Sequence, residues 1–279
     1  MGLMTASPGK NPEQIVVSAL VSTYKSERFM RGCLEDLVAQ TIFPQIEVIV
    51  IDSASPENEG AVVQEFQKVH PNIRYLRTLQ RESLYAAWNR AIALATGRYL
   101  TNANTDDRHA PEAFGKLASC LDRHPAIGVV YATTAITNVE NQPFEAAPRT
   151  GKFKARRFDR RRLFWDCLPG PQPMWRKELH DRFGLFDDTF AVAGDYEFWL
   201  RISGSVQFGH IRECLGVFLA SSGSLAHSSS TRTDLEAESA RDRHWPKEWG
   251  PRTKRQLSFV DKWTRRSTYR ALAERLGIG

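Results

Sequence analysis

The stretch Glu47-Val48-Ile49-Val50-Ile51-Asp52-Ser53-Ala54-Ser55 decides how this chain is read. Residues 47–51 form a short β-branched run, too brief for a helix and of the kind a strand buried on both faces shows. A carboxylate ends it, and small turn residues follow. Working outward, residues 15–21 form a second such run. Between the two, Phe29, Met30, Cys33, Leu34, Leu37 and Val38 recur at helical spacing. The same spacing returns in Val62, Val63, Phe66 and Val69, and again in Trp88, Ala91, Ile92 and Ala95. A fourth helix is expected to start at Pro111, a favourable first-turn residue, and to run through Phe114, Leu117 and Leu121. Strands at 73–76, 99–101 and 128–132 fill the gaps. This alternation predicts an α/β fold, a Rossmann-like, mostly parallel sheet flanked by helices. Ligands then belong at the carboxyl ends of the strands, where Thr23, Asp52 and residues 104–107 fall.

After about residue 140 the rhythm breaks. Pro143, Pro148, Pro169, Pro171 and Pro173 punctuate short elements. A helix is expected at 195–202 and two strands at 208–211 and 216–220. From Thr231 the chain turns polar and helical, ending in a basic segment with apolar positions Leu257, Val260 and Trp263.

The chain has 279 residues, 42% of them hydrophobic and 25% charged, which excludes disorder and fibrous repeats. Its longest apolar run, 91–95, is far short of a membrane span, and the first dozen residues lack the pattern of a signal peptide. Cys33, Cys120, Cys167 and Cys214 show neither CxxC nor metal spacing and read as free thiols of a cytoplasmic protein. The net charge of +6 suggests nucleic acid. That charge, however, sits in two patches, from Lys152 to Arg162 and from Arg241 onward, on an otherwise acidic body. No nucleic-acid partner is expected. The patches suit an anionic membrane surface, and a solvated arginine-rich loop accounts for the first of them equally well.

Three features carry chemistry. Asn104-Thr105-Asp106-Asp107 follows a strand and precedes Pro111. Carboxylates there hold Mn²⁺ or Mg²⁺ with a diphosphate as co-ligand, or simply cap a helix. Asp52 accepts a hydrogen bond from a base or ribose, or closes an Asx turn. Asp195, beside Phe198 and Trp199, is either a general base raised by its apolar surroundings or a helix cap. No GxGxxG, Walker loop, GxSxG or paired-histidine zinc motif occurs, so a phosphate here must be met by a metal or basic side chains.

Taken in order, these pieces resemble the family 2 glycosyltransferases, inverting enzymes of the GT-A fold, over residues 14–225. Val21-Ser22-Thr23-Tyr24-Lys25-Ser26-Glu27 is similar to the family's S/P-T-Y-N-x-E, and residues 47–55 to its E-I-I-V-V-D-D/S-G-S, with Ala54 in the glycine place. Leu84 to Ile92 followed by Ala95 to Leu100 is similar to Y-x-A-x-N-x-G/A-I with A-x-G-x-Y-I. Residues 104–107 stand at the DxD motif, and Phe183 to Asp188 followed by Gly194 to Arg201 is similar to G-x-F-D-E with E-D-Y-x-x-W-L-R.

The resemblance implies a nucleotide-sugar-binding half over 14–140, an acceptor half over 141–225 and a helical basic extension over 226–279. It implies that Thr23, Tyr24 and Asp52 hold the nucleotide, that Glu27 supports their loop, and that Asn104 faces the ribose or metal. Asp106 would ligate Mn²⁺ or Mg²⁺, Arg81 would touch phosphate, and Asp195 would be the base. Gln172 and Trp175 are expected at the acceptor or sugar, with a structural turn the equal alternative for Gln172 beside its prolines. The expected donor is a UDP- or dTDP-linked sugar and the acceptor a glycan or lipid-linked hydroxyl, in bacterial surface polysaccharide synthesis at the inner face of the membrane. Asn104 and Gly194 depart from the family pattern, and a catalytically inactive nucleotide-sugar-binding scaffold is the alternative they raise.

Overall fold

The structure, a computed structural model, describes residues 14–220 and 230–252. The first half alternates as its periodicities demand: β1 (Val17–Thr23), α1 (Glu27–Val38), β2 (Ile46–Asp52), α2 (Glu59–Gln67), β3 (Ile73–Arg77), α3 (Leu84–Leu94), β4 (Tyr99–Asn102). There follow β5 (Arg108–His109), α4 (Ala113–Arg123), β6 (Ile127–Thr137), β7 (Gly151–Phe153), α5 (Arg160–Leu163), β8 (Met174–Arg176), α6 (Glu178–Phe183), α7 (Gly194–Ile202) and β9 (Gln207–Leu219). Helix α8 (Ser230–His244) packs against α7.

One sheet runs through the molecule in the order β3-β2-β1-β4-β8-β6-β9-β5, with β7 added beside β6. The first four strands are mutually parallel. Strand β8, from the second half of the sequence, lies antiparallel between β4 and β6, so both halves share one ladder. Alternation along the strands sorts the core into two layers. Leu20, Ile49 and Ile51 face α3, α6 and α7, whereas Val17, Ala19, Val21, Val48 and Val50 face α1, α2 and α4.

The two strands expected at 208–211 and 216–220 are one strand, β9, which pairs with β6 through register shifts. The exposed pair Arg212-Glu213 interrupts its apolar run, and a bulge absorbs that interruption without ending the ladder. Among the described residues no helix is long and apolar enough to cross a membrane. The four cysteines are free thiols. The apolar positions Leu257, Val260 and Trp263 lie outside the described residues.

Candidate active site

Strands β1 and β2 end side by side, with Thr23 paired to Asp52. Each then turns through a left-handed residue, Lys25 at φ 56° and Ala54 at φ 50°. These are the positions where the family patterns carry asparagine and glycine, the residues that enter this region most readily. The turns lock together, with the Lys25 amide donating to Ser55 Oγ at 2.9 Å. Beneath them Glu59 is fully buried. Its Oε1 accepts from Thr23 Oγ1 at 3.1 Å, the Ser26 amide at 2.9 Å and Ser55 Oγ at 2.8 Å. Sequence reading missed Glu59; its place at the first turn of α2, just past the Ser55 turn, is the signal that could have found it. Glu27 braces the same loop, its Oε2 accepting from the Asn58 amide at 2.9 Å while its own amide donates to Glu57.

Asp52 is fully buried. Its carboxylate accepts from the Ser55 amide at 2.8 Å, the Tyr75 hydroxyl at 2.6 Å and Arg77 Nη1 at 2.5 Å. Sequence reading left this carboxylate either meeting base or ribose or closing an Asx turn, and the Ser55 amide fits the turn. The folded chain spends it inward, and the outward-facing group is the half-exposed Arg77. Tyr24 and Arg81, remote in sequence, come together, the guanidinium lying 4.1 Å from the ring centroid.

At the end of β4, Asn104 Nδ2 donates to Asp107 Oδ2 at 3.1 Å. Asp107 is buried, and burial followed by the neighbouring Asp106 charge raises its carboxyl well above the usual range. Asn104 thus relieves a site that already holds two acids. Asp106 is partly exposed, and burial also raises it, against its own backbone amide and Arg108. Among the described residues no group of three His, Cys, Asp or Glu side chains could hold a metal by itself. One open carboxylate suits a hard cation that takes its remaining oxygens from a diphosphate and water.

Asp195 stands at the first turn of α7, partly exposed. The Tyr85 hydroxyl lies 3.0 Å from its Oδ1. Burial raises the Asp195 carboxyl, opposed by the Tyr196 amide and by Tyr85. Ala193 is the N-cap of α7, and no side chain caps the helix, so Asp195 lies in the first turn and is not the cap. Gly194 has a direct explanation: a Cβ there would lie 2.7 Å from Tyr85 Cδ2. As the Tyr85 ring is placed in this chain, it fills the space that a side chain at 194 would need. A chain of contacts brings Asp195 to the strand ends. Ser53 Oγ donates to the Glu82 carbonyl at 3.0 Å, and Ser83 Oγ to the Asp188 carbonyl at 3.2 Å, in the loop that leads into α7.

Two expectations change. Trp175 lies in the middle of the sheet with no exposure, its Nε1 donating to His180 Nε2 at 2.9 Å, so it is a core residue and meets no acceptor. Gln172 is buried, and its Nε2 donates to the carbonyls of Arg108 at 3.2 Å and Val217 at 3.4 Å, tying β5 to β9. Proline neighbours marked the turn, but not the strand that follows it. The basic stretch from Lys152 to Arg162 divides. Arg160 and Arg161 stack over Trp249, and Arg160 pairs with Glu248, whereas Lys152, Lys154, Arg156 and Arg157 are exposed.

The family model for glycosyl transferase family 2 matches residues 18–183. Escherichia coli chondroitin synthase is 24% identical over 214 residues, 71% of this chain and 28% of that protein. S. aureus TarS in complex with UDP-GlcNAc superposes with a TM-score of 0.64 at 19% identity, over 77% of this chain and 61% of that one. The mannosyltransferase PcManGT from Pyrobaculum calidifontis, in complex with GDP-Man and Mn²⁺, gives a TM-score of 0.62 at 18% identity over 84% and 66%. The chain thus spans under a third of the synthase and about two thirds of the two structural neighbours.

Proposed function

Because the chain belongs to glycosyl transferase family 2 and has its GT-A fold, we propose that it transfers a sugar from a nucleoside diphosphate sugar to a hydroxyl, with inversion at the anomeric carbon. The observation that carries this reading is the Tyr85–Asp195 pair, a raised carboxyl held by a buried hydroxyl beside the strand ends where nucleotides bind in such sheets. The acceptor oxygen attacks the anomeric carbon, its proton passes to Asp195, and the bond to the diphosphate breaks with its electron pair leaving on the diphosphate. A base placed in this way contributes about 10²–10⁴-fold.

The donor's nucleotide lies over Thr23, Tyr24 and Arg77, with Glu27, Asp52 and Glu59 shaping the loops beneath. Arg81 on Tyr24 stands ready for a phosphate. Asp106, with Asn104 beside it, would hold Mn²⁺ or Mg²⁺, and that ion, when bound, offsets the charge that grows on the leaving diphosphate. Complexes of structural neighbours with UDP-GlcNAc and with GDP-Man and Mn²⁺ support a nucleotide-sugar donor and a metal. The UDP- or dTDP-linked donor stays the working choice. A glycan or lipid-linked acceptor, in polysaccharide synthesis, is supported by the likeness to chondroitin synthase. The exposed Lys152, Lys154, Arg156 and Arg157 are the residues that would meet an anionic membrane surface.

The test is a thermal-shift and hydrolysis screen of UDP-, dTDP- and GDP-sugars with and without Mn²⁺. Ligand binding raises the melting temperature by mass action. A metal-dependent shift with slow donor hydrolysis is expected. A shift without hydrolysis or transfer supports the inactive scaffold instead, and no shift with any nucleotide removes both.

A further inference from the structure

The loop that delivers Asp195 is held from three directions. Asn89 on α3 grips Phe186, its Nδ2 donating to the carbonyl at 2.8 Å and its Oδ1 accepting from the amide at 3.0 Å. Tyr85, one helical turn earlier on the same face of α3, lies 2.8 Å from the Val192 carbonyl as well as 3.0 Å from Asp195. The third hold comes from α8. Glu236 Oε2 accepts from the amides of Ala191 at 3.1 Å, Val192 at 2.8 Å and Ala193 at 3.0 Å. Its Oε1 accepts from the Ala191 amide at 3.0 Å and from Arg232 Nε at 2.9 Å.

Three successive amides converging on one anion make a nest, and this one opens onto the N-terminal end of α7, where the helix dipole also favours negative charge. The anion that fills it belongs to the chain itself. Burial pushes the Glu236 carboxyl up, but the amides of Ala191 and Val192, with Arg232 and Ala193, outweigh that and hold it below its usual range. Helix α8 lies beyond residue 183, where the family match ends.

We infer that Glu236 is a positioning residue for Asp195: its carboxylate fixes the 191–193 turn, and with it the direction in which α7 presents the base. The inference rests on the reading of Asp195 as that base. Without the carboxylate, three amides in a partly buried turn lose their partner, and the turn must rotate to reach water. The Val192 carbonyl then leaves Tyr85, and Asp195 loses the geometry that Tyr85 imposes. A misplacement of about 1 Å at a reacting group costs on the order of 10²-fold in rate. The donor loops at β1 and β2 share no contact with Glu236, so donor affinity is untouched. Helix α8 keeps its other attachments: Arg243 to Asp187, His244 to Glu197, Arg241 to the Tyr196 hydroxyl, and the fully buried Ala240.

The test compares Glu236→Ala, Glu236→Gln and Arg243→Ala in the full chain. Arg243 holds α8 through Asp187 and the Phe190 ring without bonding the 191–193 amides, and controls for loss of docking. Rates are measured with whichever member of the UDP-, dTDP- and GDP-sugar panel the unmodified chain turns over. Melting temperature and amide hydrogen exchange over 191–193 are followed alongside. Glu236→Ala should lower kcat by about 30- to 100-fold with the donor KM within about twofold, and should speed exchange at those amides. Glu236→Gln, which keeps one acceptor oxygen, should lose about tenfold. Arg243→Ala should keep its kcat. Unchanged kcat in Glu236→Ala, or an equal loss in Arg243→Ala, overturns the inference while leaving the proposed reaction standing. An unmodified chain that transfers no sugar from any donor removes both.

Discussion

At the ends of β1 and β2 the crevice is made by loops close in sequence; Thr23 meets Glu59 across 36 positions. Around Asp195 the decisive contact, with Tyr85, spans 110 positions, and a third element from past residue 230 closes the turn. The first region is a strand-end turn motif whose residues are dictated by backbone geometry. The second is assembled, and its residues are dictated by one another. Gly194 shows the difference. Nothing in its own backbone demands glycine, but the Tyr85 ring leaves no room for a Cβ. Lys25 and Ala54 show the reverse, since their backbone favours asparagine or glycine whatever the neighbours are.

If that contrast is right, damage on the two sides separates into turnover and binding. Asp195→Asn should have the largest effect, a loss of about 10²–10⁴ in kcat with nucleotide affinity nearly unchanged. Wild-type turnover in that variant contradicts the base assignment. Asp106→Ala should weaken Mn²⁺-dependent nucleotide binding by more than about tenfold, read by calorimetry, and leave any metal-independent binding alone. Equal affinity with and without the substitution removes Asp106 as a metal ligand.

Smaller effects probe packing. Gly194→Ala should destabilise by about 1–3 kcal/mol through overpacking against Tyr85. A neutral result in a thermal melt means that Tyr85 does not set this position.

Asp36 near the end of α1 accepts from the His109 amide of β5 through its Oδ2 at 3.0 Å, and burial raises it to about 6 against that bond. Because its folded value is raised, its contribution to stability is full below the ordinary carboxylate range and is lost as pH rises through about 6. Asp36→Asn should therefore melt a few degrees higher than the parent at pH 7–8, with the gap closing toward pH 4. A gap that widens on acidification contradicts the assignment. Smallest of all, Ala54→Gly should stabilise by about 0.5 kcal/mol, the relief of a left-handed alanine less the entropy glycine loses on folding. Any destabilisation there counts against the strained-turn account.

Legibility in the sequence follows the same divide. Strands β1 to β4 and helices α1 to α4 announce themselves because each element's pattern reflects its own burial, and the strand-end residues follow from topology. Strand β8 is three residues long and enters between β4 and β6 from far along the chain, so Trp175, expected at the acceptor, is instead at the centre of the sheet. Asp52 was found in the right place and its turn bond to Ser55 was one of the two readings, but Tyr75 and Arg77 were not foreseen, because they arrive on a different strand. Glu236 carries no local signal: a glutamate on a polar helix reads as solvated surface until the 191–193 turn is folded against it.

The central claim is that one carboxylate on the assembled side acts directly on an acceptor bound against a donor held by the other side, in a single displacement. The measurement that tests it most directly is the anomeric configuration of the first-formed product by proton NMR, taken before any equilibration. Inversion relative to the donor is the expected result; retention would contradict the account.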